Sequence, residues 1–279
     1  MGDAKLCVVI GKESNLTAHL QKRLQRVRPV SAGEILQKGA LPDDIGRERF
    51  DIVFNNFQTA NRLNDISDPQ EYIGRSIYVT STVLKCIVAK SVGKVLYTSS
   101  SSVYGNNILC RESDELKPAN LHAALKVANE KLVEKFCVEN GIDYTIARVF
   151  NMYGGDDGFS VIGKIKNACL RHEKLYIVNN GNAIRDFIHI DDVVEIYSRI
   201  LCQKEINVVN VGTGRGSSIG NILDFLRNHG MEIETESIYR EELHLSTADN
   251  TLLKERLGYD EFIGVEEYLL ESIRKEVNG

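Results

Sequence analysis

Residues 94–105 read KVLYTSSSSVYG, and this stretch decides the fold class. Its first half is a short apolar run with β-branched and aromatic residues, which predicts a buried strand. Four consecutive serines, 99–102, follow at the point where the strand ends. In an open sheet of parallel strands, ligands bind outside the carboxyl ends of the strands, so these hydroxyls stand where a ligand would lie.

Strand and helix patterns alternate on both sides of that stretch. Apolar runs typical of strands occupy residues 5–10 (KLCVVI), 51–55 (DIVFN), 144–149 (YTIARV) and 206–211 (INVVNV). Apolar residues at helical spacing lie in residues 16–24, 72–89, 121–136 and 192–201. Buried strands that alternate with helices favour a doubly wound parallel sheet. After residue 155 the pattern loosens, and we expect short helices mixed with charged turns.

Composition narrows the class of protein. The 279 residues are 43% hydrophobic and 26% charged, which is ordinary globular composition, and the formal net charge of −5 disfavours a nucleic-acid binder. The six cysteines form no C-x-x-C pair, and no Cys/His/Asp cluster has the spacing of metal ligands, so we expect reduced cysteines and no metal site. No apolar run could span a membrane and no signal peptide is recognisable, which predicts a cytoplasmic protein.

Three motifs follow one another along the chain. The first is TSSSSVYG at 98–105, and the second is ARVFNMYG at 147–154, after a helix that contains Lys126. The third is GNAIRDFIHIDDV at 181–193, followed by VNVGTG at 209–214. In order and spacing these motifs resemble the extended short-chain dehydrogenases/reductases, the NAD-dependent epimerase/dehydratase family of nucleotide sugars.

The resemblance implies an α/β fold, with a Rossmann-type doubly wound parallel sheet and a smaller C-terminal α/β substrate lobe. The dinucleotide-binding domain would comprise residues 1–150, rejoined by about 183–212. The substrate lobe would comprise residues 151–182 and 213–279. The implied cofactor is NAD or NADP, with a slight preference for NAD, and the implied substrate is a nucleoside-diphosphate sugar of carbohydrate biosynthesis.

The resemblance also implies a catalytic hydroxyl at Ser100, four residues before Tyr104 in the first motif. A hydroxyl at this place can stabilise charge that develops on a substrate oxygen as hydride moves. Ser101, beside it, would contact the substrate. The alternative is that these serines only satisfy backbone groups of the loop.

Lys126 matches the lysine of the family's Tyr-x-x-x-Lys pair, but His122 stands where the tyrosine is expected. In the family the lysine holds the cofactor ribose, and its charge lowers the pKa of the tyrosine that acts as base. The i, i+4 spacing places His122 and Lys126 on one helical face, and a histidine can also move a proton. Either His122 replaces the tyrosine or the site has lost its base.

The family's G-x-x-G-x-x-G loop falls on residues 11–17, GKESNLT. Only Gly11 remains, while Ser14 and Thr17 occupy the other two glycine positions, and all three would contact the cofactor pyrophosphate at a helix N-terminus. Glu34 is the candidate for the acidic residue that binds the adenosine ribose. Alternatively, Gly11 belongs to an ordinary strand-to-helix turn.

The half of the sheet that would hold the adenine is short. The expected second strand, residues 28–33, is poorly apolar, and the segment between Glu34 and Asp51 is too short and polar for a confident third strand with its helix. Cofactor binding is therefore the least secure of the properties implied.

Arg185 and Asn151 are the remaining candidate substrate contacts. In the family the matching arginine contacts the substrate diphosphate, for which a guanidinium is suited because it pairs with two phosphate oxygens at once. A surface salt bridge is the alternative for Arg185. Asp186 and His189 are expected to be structural.

Two functions remain open. The first is an NAD(P)-dependent oxidoreductase or epimerase that transfers hydride at a sugar carbon, with a 4-keto reductase or epimerase favoured over a dehydratase. The second is a catalytically degenerate relative that binds a nucleotide sugar or a partner without redox turnover. Helices near 72–89 and 121–139 resemble the family's dimer interface, which predicts a homodimer. Burial of their apolar positions against the sheet is the alternative.

Overall fold

The structure, a computed structural model, describes residues 5–56 and 66–278. It divides into two compact units. Unit 1 comprises Met1–Gly105, Glu115–Val149 and Val194–Val209, and unit 2 comprises Asn106–Asp114, Phe150–Val193 and Asn210–Gly279. The dinucleotide-binding and substrate domains proposed from the sequence, including the return of 183–212 to the first domain, stay a prediction.

The strands of the described residues are β1 (Leu6–Ile10), β2 (Val27–Val30), β3 (Phe50–Phe54), β4 (Val92–Ser100), β5 (Leu109–Cys110), β6 (Asp143–Val149), β7 (Asn151–Tyr153), β8 (Leu175–Val178), β9 (Ile184–His189), β10 (Val208–Val211), β11 (Gly216–Ser218), β12 (Thr235–Ile238) and β13 (Leu245–Ala248). The α-helices are α1 (Asn15–Arg23), α2 (Ala32–Lys38), α3 (Pro69–Ile73), α4 (Val79–Cys86), α5 (Leu121–Asn140), α6 (Val161–Arg171), α7 (Ile190–Cys202), α8 (Ile219–Asn228), α9 (Thr251–Leu257) and α10 (Val265–Asn278).

A six-stranded sheet, ordered β10-β6-β4-β3-β1-β2, is the framework of unit 1. The pairings of β1 with β2 and β3, and of β4 with β3 and β6, are all parallel. Every residue of β3 is buried, and so are Cys7 to Ile10 of β1. Side chains of α4 and α5 complete the core, which explains why the strands read as continuous apolar runs. The predicted parallel α/β sheet is confirmed.

The strand order reverses beside β1. The chain runs from β1 to β2 on one side and then to β3 on the other, so a crevice is expected at the carboxyl ends of β1 and β3. Residues 39–49 contain neither helix nor strand, and β2 is the edge of the sheet. The prediction that this half of the sheet is short is confirmed. The second strand, however, is Val27–Val30 rather than 28–33, because α2 begins at Ala32.

The predicted continuous helix over residues 72–89 is wrong in detail. A π-helical turn, Gly74–Tyr78, separates α3 from α4. The carbonyl oxygen of Ser76 in this turn accepts hydrogen bonds from the hydroxyl of Thr80 at 3.1 Å and from the amides of Asn129 at 3.4 Å and Asn56 at 3.5 Å. Because side chains satisfy this carbonyl, the wider turn is stable, and helical spacing in the sequence gives no sign of it.

Unit 2 contains a five-stranded sheet, in which β11, β9, β13 and β5 follow one another and β7 pairs with β9. Strands β8 and β12 form a separate parallel pair. The core is built from α6, α8 and α10. Helix α10 is 14 residues long, so the expectation of short helices and charged turns beyond the predicted helix at 192–201 and strand at 206–211 is wrong for this segment. Its first turn contains Glu266 and Glu267, whose negative charges stabilise a helix N-terminus. In the sequence alone, the same charges are also typical of a surface turn.

Candidate active site

Ser99 and Ser100 end β4 and differ in their surroundings. Ser99 is buried, and its hydroxyl donates a short hydrogen bond to the carboxylate of Glu130. Ser100 is half-buried, and its Oγ accepts hydrogen bonds from the backbone N–H of Ser102 at 3.2 Å and from its hydroxyl at 3.0 Å. Because Ser100 is the acceptor in both, its own proton can be donated to a substrate. Ser101 begins the 3₁₀ turn Ser101–Tyr104 and is also half-buried.

Lys126 reaches from α5 to the end of the same strand. Its side chain is buried, and Nζ donates a 2.8 Å hydrogen bond to the carbonyl oxygen of Thr98. Nζ also lies 5.1 Å from the centre of the Tyr97 ring. Burial lowers the pKa of Lys126 to about 7, against the attraction of Glu130, which raises it. The ammonium therefore exchanges its proton near neutral pH.

His122 lies one turn before Lys126 and is half-buried. Burial, and secondly the charge of Lys126, lower its pKa to about 4. The imidazole is therefore neutral at physiological pH. The structure thus brings His122 and Lys126 together on α5, with Lys126 anchored at the strand that ends in Ser100.

A buried ion pair beneath these residues was missed in the sequence. The carboxylate of Glu130 accepts hydrogen bonds from Arg148 on β6, from Nη2 at 2.8 Å and from Nε at 3.2 Å. Arg148 also donates from Nη1 to the hydroxyl of Tyr104 at 3.0 Å. The available signal was a glutamate four residues after Lys126 and an arginine inside an apolar strand, both of which demand partners when buried. The hydroxyl of Tyr104 thus belongs to the buried network of Arg148 and Glu130.

The β1–α1 loop carries the three predicted pyrophosphate contacts. Gly11 has a φ of +115°, and a Cβ at this position would overlap the backbone carbonyl of Asn55, which follows β3. Thr17 is buried, and its hydroxyl donates to the carbonyl oxygen of Gly11 at 2.7 Å. The amide of Asn55 donates to the hydroxyls of Ser14 and Thr17, both at 2.9 Å. Gly11, Ser14 and Thr17 are therefore brought together, with Asn55 as a fourth member that the sequence did not reveal.

These residues fit a dinucleotide pyrophosphate. Ser14 is the residue before α1, yet its side chain makes no capping bond, and no acidic residue lies in the first helical turn. The N–H groups and the positive end of this helix can therefore receive a phosphate. The Oδ1 atom of Asn55 is buried without a hydrogen-bond partner, as expected of a group that a ligand hydroxyl or a water would complete.

Glu34 is not brought to this loop by the strand. Strand β2 ends at Val30, and Glu34 lies exposed in the first turn of α2. The residue directly after the strand is Ser31. The role of Glu34 in binding a ribose stays a prediction.

In unit 2, Asp186 organises the neighbourhood of the predicted substrate contacts. Its buried carboxylate accepts four hydrogen bonds. Thr213 donates two of them, from its backbone N–H at 2.9 Å and from its hydroxyl at 2.7 Å. The backbone N–H groups of Gly214 and Ala248 donate the other two, at 2.9 Å and 3.1 Å. Burial raises its pKa, and these bonds oppose the rise. Asn151 is exposed and donates from its amide to the backbone carbonyl of Asp186 at 2.9 Å. Asp186 thus fixes the strand that carries Arg185.

Arg185 is half-buried and ion-paired. Its Nη2 lies 3.1 Å from the carboxylate of Glu242, and Nη1 donates to the carbonyl oxygen of Ile184 at 2.9 Å. Glu242 also accepts a hydrogen bond from the amide of Asn179 at 3.1 Å. Glu242 therefore holds the guanidinium in place and competes with any phosphate for its charge.

Over residues 5–56 and 66–278, no group of His, Cys, Asp and Glu side chains is arranged to hold a metal ion. Within the same residues, no helix is both long enough and apolar enough to cross a membrane.

Comparison with known proteins places the chain in a family. A model of the NAD dependent epimerase/dehydratase family matches residues 4–212. The chain is 30% identical to protein CapI of Staphylococcus aureus over 168 residues, which are 57% of this chain and 50% of CapI. It is 27% identical to the UDP-glucose 4-epimerase of Halalkalibacterium halodurans over 196 residues, 60% of this chain and 58% of that one. The matches thus span half to three fifths of the relatives' length.

Among solved structures, MoeE5 in complex with UDP-glucuronic acid and NAD superimposes with a TM-score of 0.83 at 20% identity, covering 98% of this chain and 99% of that chain. A likeness at this level of identity shows a shared fold. The motifs, the parallel sheet that reverses beside β1 and the family match lead to one conclusion: the chain belongs to the NAD-dependent epimerase/dehydratase family of extended short-chain dehydrogenases/reductases.

Proposed function

We propose that the protein is an NAD(P)-dependent reductase or epimerase that acts on a sugar carbon of a nucleoside-diphosphate sugar. One observation carries the proposal: Lys126 is buried as an amine with a pKa of about 7, and the carbonyl of Thr98 holds it at the end of the strand that presents Ser100. Perturbed ionisable groups of this kind concentrate at catalytic sites because burying them is costly.

The β1–α1 loop and α5 would hold the cofactor. Gly11 lets the loop pack against the carbonyl of Asn55. The N-terminus of α1 would supply N–H groups to the pyrophosphate, and Lys126 would bind a ribose hydroxyl. A bound nicotinamide supplies the acceptor and donor of hydride. NAD is the favoured form, and titration with NAD and NADP in parallel measures the preference.

Ser100 would stabilise the charge on the reacting sugar oxygen, and His122 would accept the proton. The free proton of Ser100 is donated to the reacting sugar oxygen and stabilises the charge that develops there. His122 is neutral, so one ring nitrogen can accept the proton of a sugar hydroxyl while the other remains a donor. Its low pKa makes it a weak base, and contact with a developing negative charge would strengthen it.

Arg185 and Asn151 would bind the substrate. The guanidinium of Arg185 pairs with diphosphate oxygens, at the expense of its bond to Glu242. Replacing Arg185 by alanine is expected to raise the KM for the nucleotide sugar about 10- to 100-fold, the effect of a lost hydrogen bond to a charged group. The substrate class follows from the family, and screening nucleoside diphosphates by thermal shift identifies the base.

A second function, binding without redox turnover, is favoured by one observation. The pKa of His122, about 4, lies far from the neutral range in which a general base works best. A relative that binds a nucleotide sugar or a partner needs no base, and Ser14 and Thr17 in place of glycines are compatible with weak cofactor binding.

The deciding experiment is direct. The purified protein is tested for bound nicotinamide by absorbance and mass spectrometry, and for NAD, NADP and nucleoside-diphosphate binding by thermal shift. Dinucleotide binding together with hydride transfer to a nucleotide sugar supports the enzyme. Nucleotide-sugar binding with no dinucleotide binding at millimolar concentration supports the second function and rules out the first.

We also propose that the protein forms a homodimer and is located in the cytoplasm. Tyr78, Leu121 and Val138, in the π turn and on α5, are large apolar residues that unit 1 leaves exposed. Sedimentation equilibrium distinguishes a dimer from a monomer, and Val138→Glu on α5 is expected to weaken a dimer that uses this helix.

A further inference from the structure

The side chain of Asn55 is fixed in one orientation. It is 1% exposed, and its Nδ2 donates to the hydroxyls of Ser14 and Thr17, both at 2.9 Å. An amide nitrogen has two hydrogens, and here each has its own acceptor. Flipping the amide would place a carbonyl oxygen against the two hydroxyls and leave the nitrogen buried without an acceptor.

The hydroxyls of Ser14 and Thr17 differ in whether their own hydrogen is donated to another residue. The hydroxyl of Thr17 donates its hydrogen to the carbonyl oxygen of Gly11 at 2.7 Å and accepts a hydrogen bond from Asn55, so it already acts as donor and as acceptor. Ser14 accepts from Asn55 and donates to no described residue, and its side chain makes no capping bond to α1. The hydroxyl hydrogen of Ser14 is therefore available at the N-terminus of a nine-residue helix.

We propose that the hydroxyl of Ser14 donates a hydrogen bond to a phosphate oxygen of the bound dinucleotide, and that Asn55 is the positioning residue that orients it. The inference rests on the proposed function, since it assumes that this loop binds a dinucleotide. At Ser14 the usual glycine lets backbone approach the pyrophosphate. Here a side-chain donor replaces that approach. Asn55 donates to one lone pair of the Ser14 oxygen, so the hydrogen of Ser14 points away from Asn55.

The loop contains one exposed positive and one exposed negative side chain, Lys12 and Glu13, so the case for a phosphate rests on its hydrogen-bond donors. A phosphate offers only acceptors, so the loop must present donors. The amide of Asn55 ensures that Ser14 does so, since an aspartate at the same place would instead accept the hydrogen of Ser14. No acidic residue lies in the first turn of α1, where it would repel the phosphate.

Isothermal titration of the full chain with three ligands tests the role of Ser14. NAD and ADP contain a pyrophosphate, and adenosine is the matched ligand without one. Ser14→Ala is expected to weaken NAD and ADP binding about 10- to 100-fold and to leave adenosine binding unchanged. Ser14→Thr keeps the hydroxyl and is expected to bind NAD within about threefold of the wild type.

A double-mutant cycle tests the role of Asn55. Asn55→Ala is expected to weaken NAD binding about tenfold in the wild type but less than about twofold in the Ser14→Ala background, because its effect passes through that hydroxyl. Asn56→Ala is the control, since the amide of Asn56 bonds to the carbonyls of Arg75 and Ser76 instead of the loop. This variant is expected to bind NAD as the wild type does.

The outcomes separate this inference from the proposed function. If the wild type binds NAD and Ser14→Ala binds it equally well, the role of Ser14 is overturned and the proposed function stands. If the effects of Asn55→Ala and Ser14→Ala simply add, Asn55 acts on the fold of the loop and not through Ser14. If the wild type binds neither NAD, NADP nor ADP, both proposals fail. The Ser14→Thr comparison decides the role of Ser14 even if Asn55→Ala does not fold.

Discussion

The carbonyl oxygen of Thr98 holds Nζ of Lys126 at 2.8 Å, and the hydroxyl of the same threonine accepts a 2.9 Å hydrogen bond from Tyr197. One residue of β4 thus anchors the amine of α5 to the sheet. A backbone carbonyl cannot move without the strand, so the position of the amine is as fixed as the strand itself. Burial keeps the pKa of Lys126 low, although the charge of Glu130 raises it.

Replacement of Lys126 by methionine is expected to lower turnover about 100-fold or more and to change how stability depends on pH. The pKa of Lys126 falls from 10.5 to about 7 on folding. The unfolded chain therefore binds the proton more tightly, and the penalty for burying the ammonium is complete below pH 7 and disappears as the pH rises towards 10.5. Wild-type stability should rise across this window, and the rise should be absent in Lys126→Met.

Chemical denaturation at pH 7 and pH 10 measures this difference. Lys135→Met is the matched control, because Lys135 lies on the same helix with an exposed side chain paired to Glu139. A parallel pH response in the wild type and Lys126→Met would show that the amine is not buried in solution.

His122 is expected to shape the pH profile of turnover. Its pKa of about 4 keeps it in the base form from pH 5 upward, whereas Lys126 loses its charge near pH 7. The rate should therefore be level between these values, fall below about pH 4 as His122 becomes protonated, and fall above about pH 7 as Lys126 becomes neutral. His122→Ala should lower kcat by about 10²- to 10⁴-fold.

His122→Tyr restores the residue type found in the family and is expected to recover turnover with its acid limb at higher pH. Steady-state rates of the three proteins from about pH 3 to about pH 9 provide the comparison, so that the acid limb at the pKa of His122 lies within the range. Equal turnover in the wild type and His122→Ala would remove His122 from the mechanism.

Glu130→Ala is expected to reduce the free energy of unfolding by about 3–5 kcal/mol, because it leaves the buried guanidinium of Arg148 without its counter-charge. Glu134→Ala is the matched control one turn along α5. Glu134 pairs with Lys131 in an exposed ion pair, so its loss should cost less than about 1 kcal/mol. The double variant Glu130→Ala with Arg148→Met should regain part of the loss, since no guanidinium is then left buried without its counter-charge. Urea denaturation measures all four proteins.

Gly11→Ala is expected to be far more harmful than Gly46→Ala. Both glycines have φ values in the region that disfavours side chains, +115° and +98°. At Gly46 a Cβ meets nothing within 4 Å, whereas at Gly11 it overlaps the carbonyl of Asn55. Gly46→Ala should cost about 1 kcal/mol of backbone strain, and Gly11→Ala should cost at least about 3 kcal/mol and displace the end of β3. Equal thermal shifts would mean that the two strand ends are not in contact.

Much of the fold could be predicted because the deciding signals are local. The runs at 51–55 and 94–98 are buried strands of a parallel sheet. Gly141, which follows Asn140, ends α5 in a left-handed conformation, and an Asn-Gly pair is typical of such a helix end. The π turn at Gly74–Tyr78 could not be predicted, because it depends on Asn56 and Asn129, which are distant in sequence. Helix α10 was missed because its charged first turn resembles a loop.

In the candidate site, too, residues in short local motifs were predicted, and residues whose role depends on distant partners were not. Ser100, His122 and Lys126 were identified by their resemblance to the family, which is carried by short sequence motifs. Asn55 and the Glu130–Arg148 pair were not identified, since their partners come from other strands and a buried polar residue shows its role only when its acceptors are known. Whether Glu34 binds a ribose also depends on where β2 ends. The strand was predicted to end at residue 33 because its apolar pattern is weak, and it ends at Val30.

The carboxylate of Asp186 has a consequence for how unit 2 folds. Its donors lie 27, 28 and 62 residues further along the chain, so no local segment can satisfy it. The entropy of closing those loops must be overcome before the four bonds form. Until then the carboxylate remains hydrated, and β9 lacks the bonds that join it to the turn at Thr213 and to Ala248 of β13. The strand that carries Arg185 is therefore expected to become ordered late, in the same step that brings in β13 and the turn at Thr213.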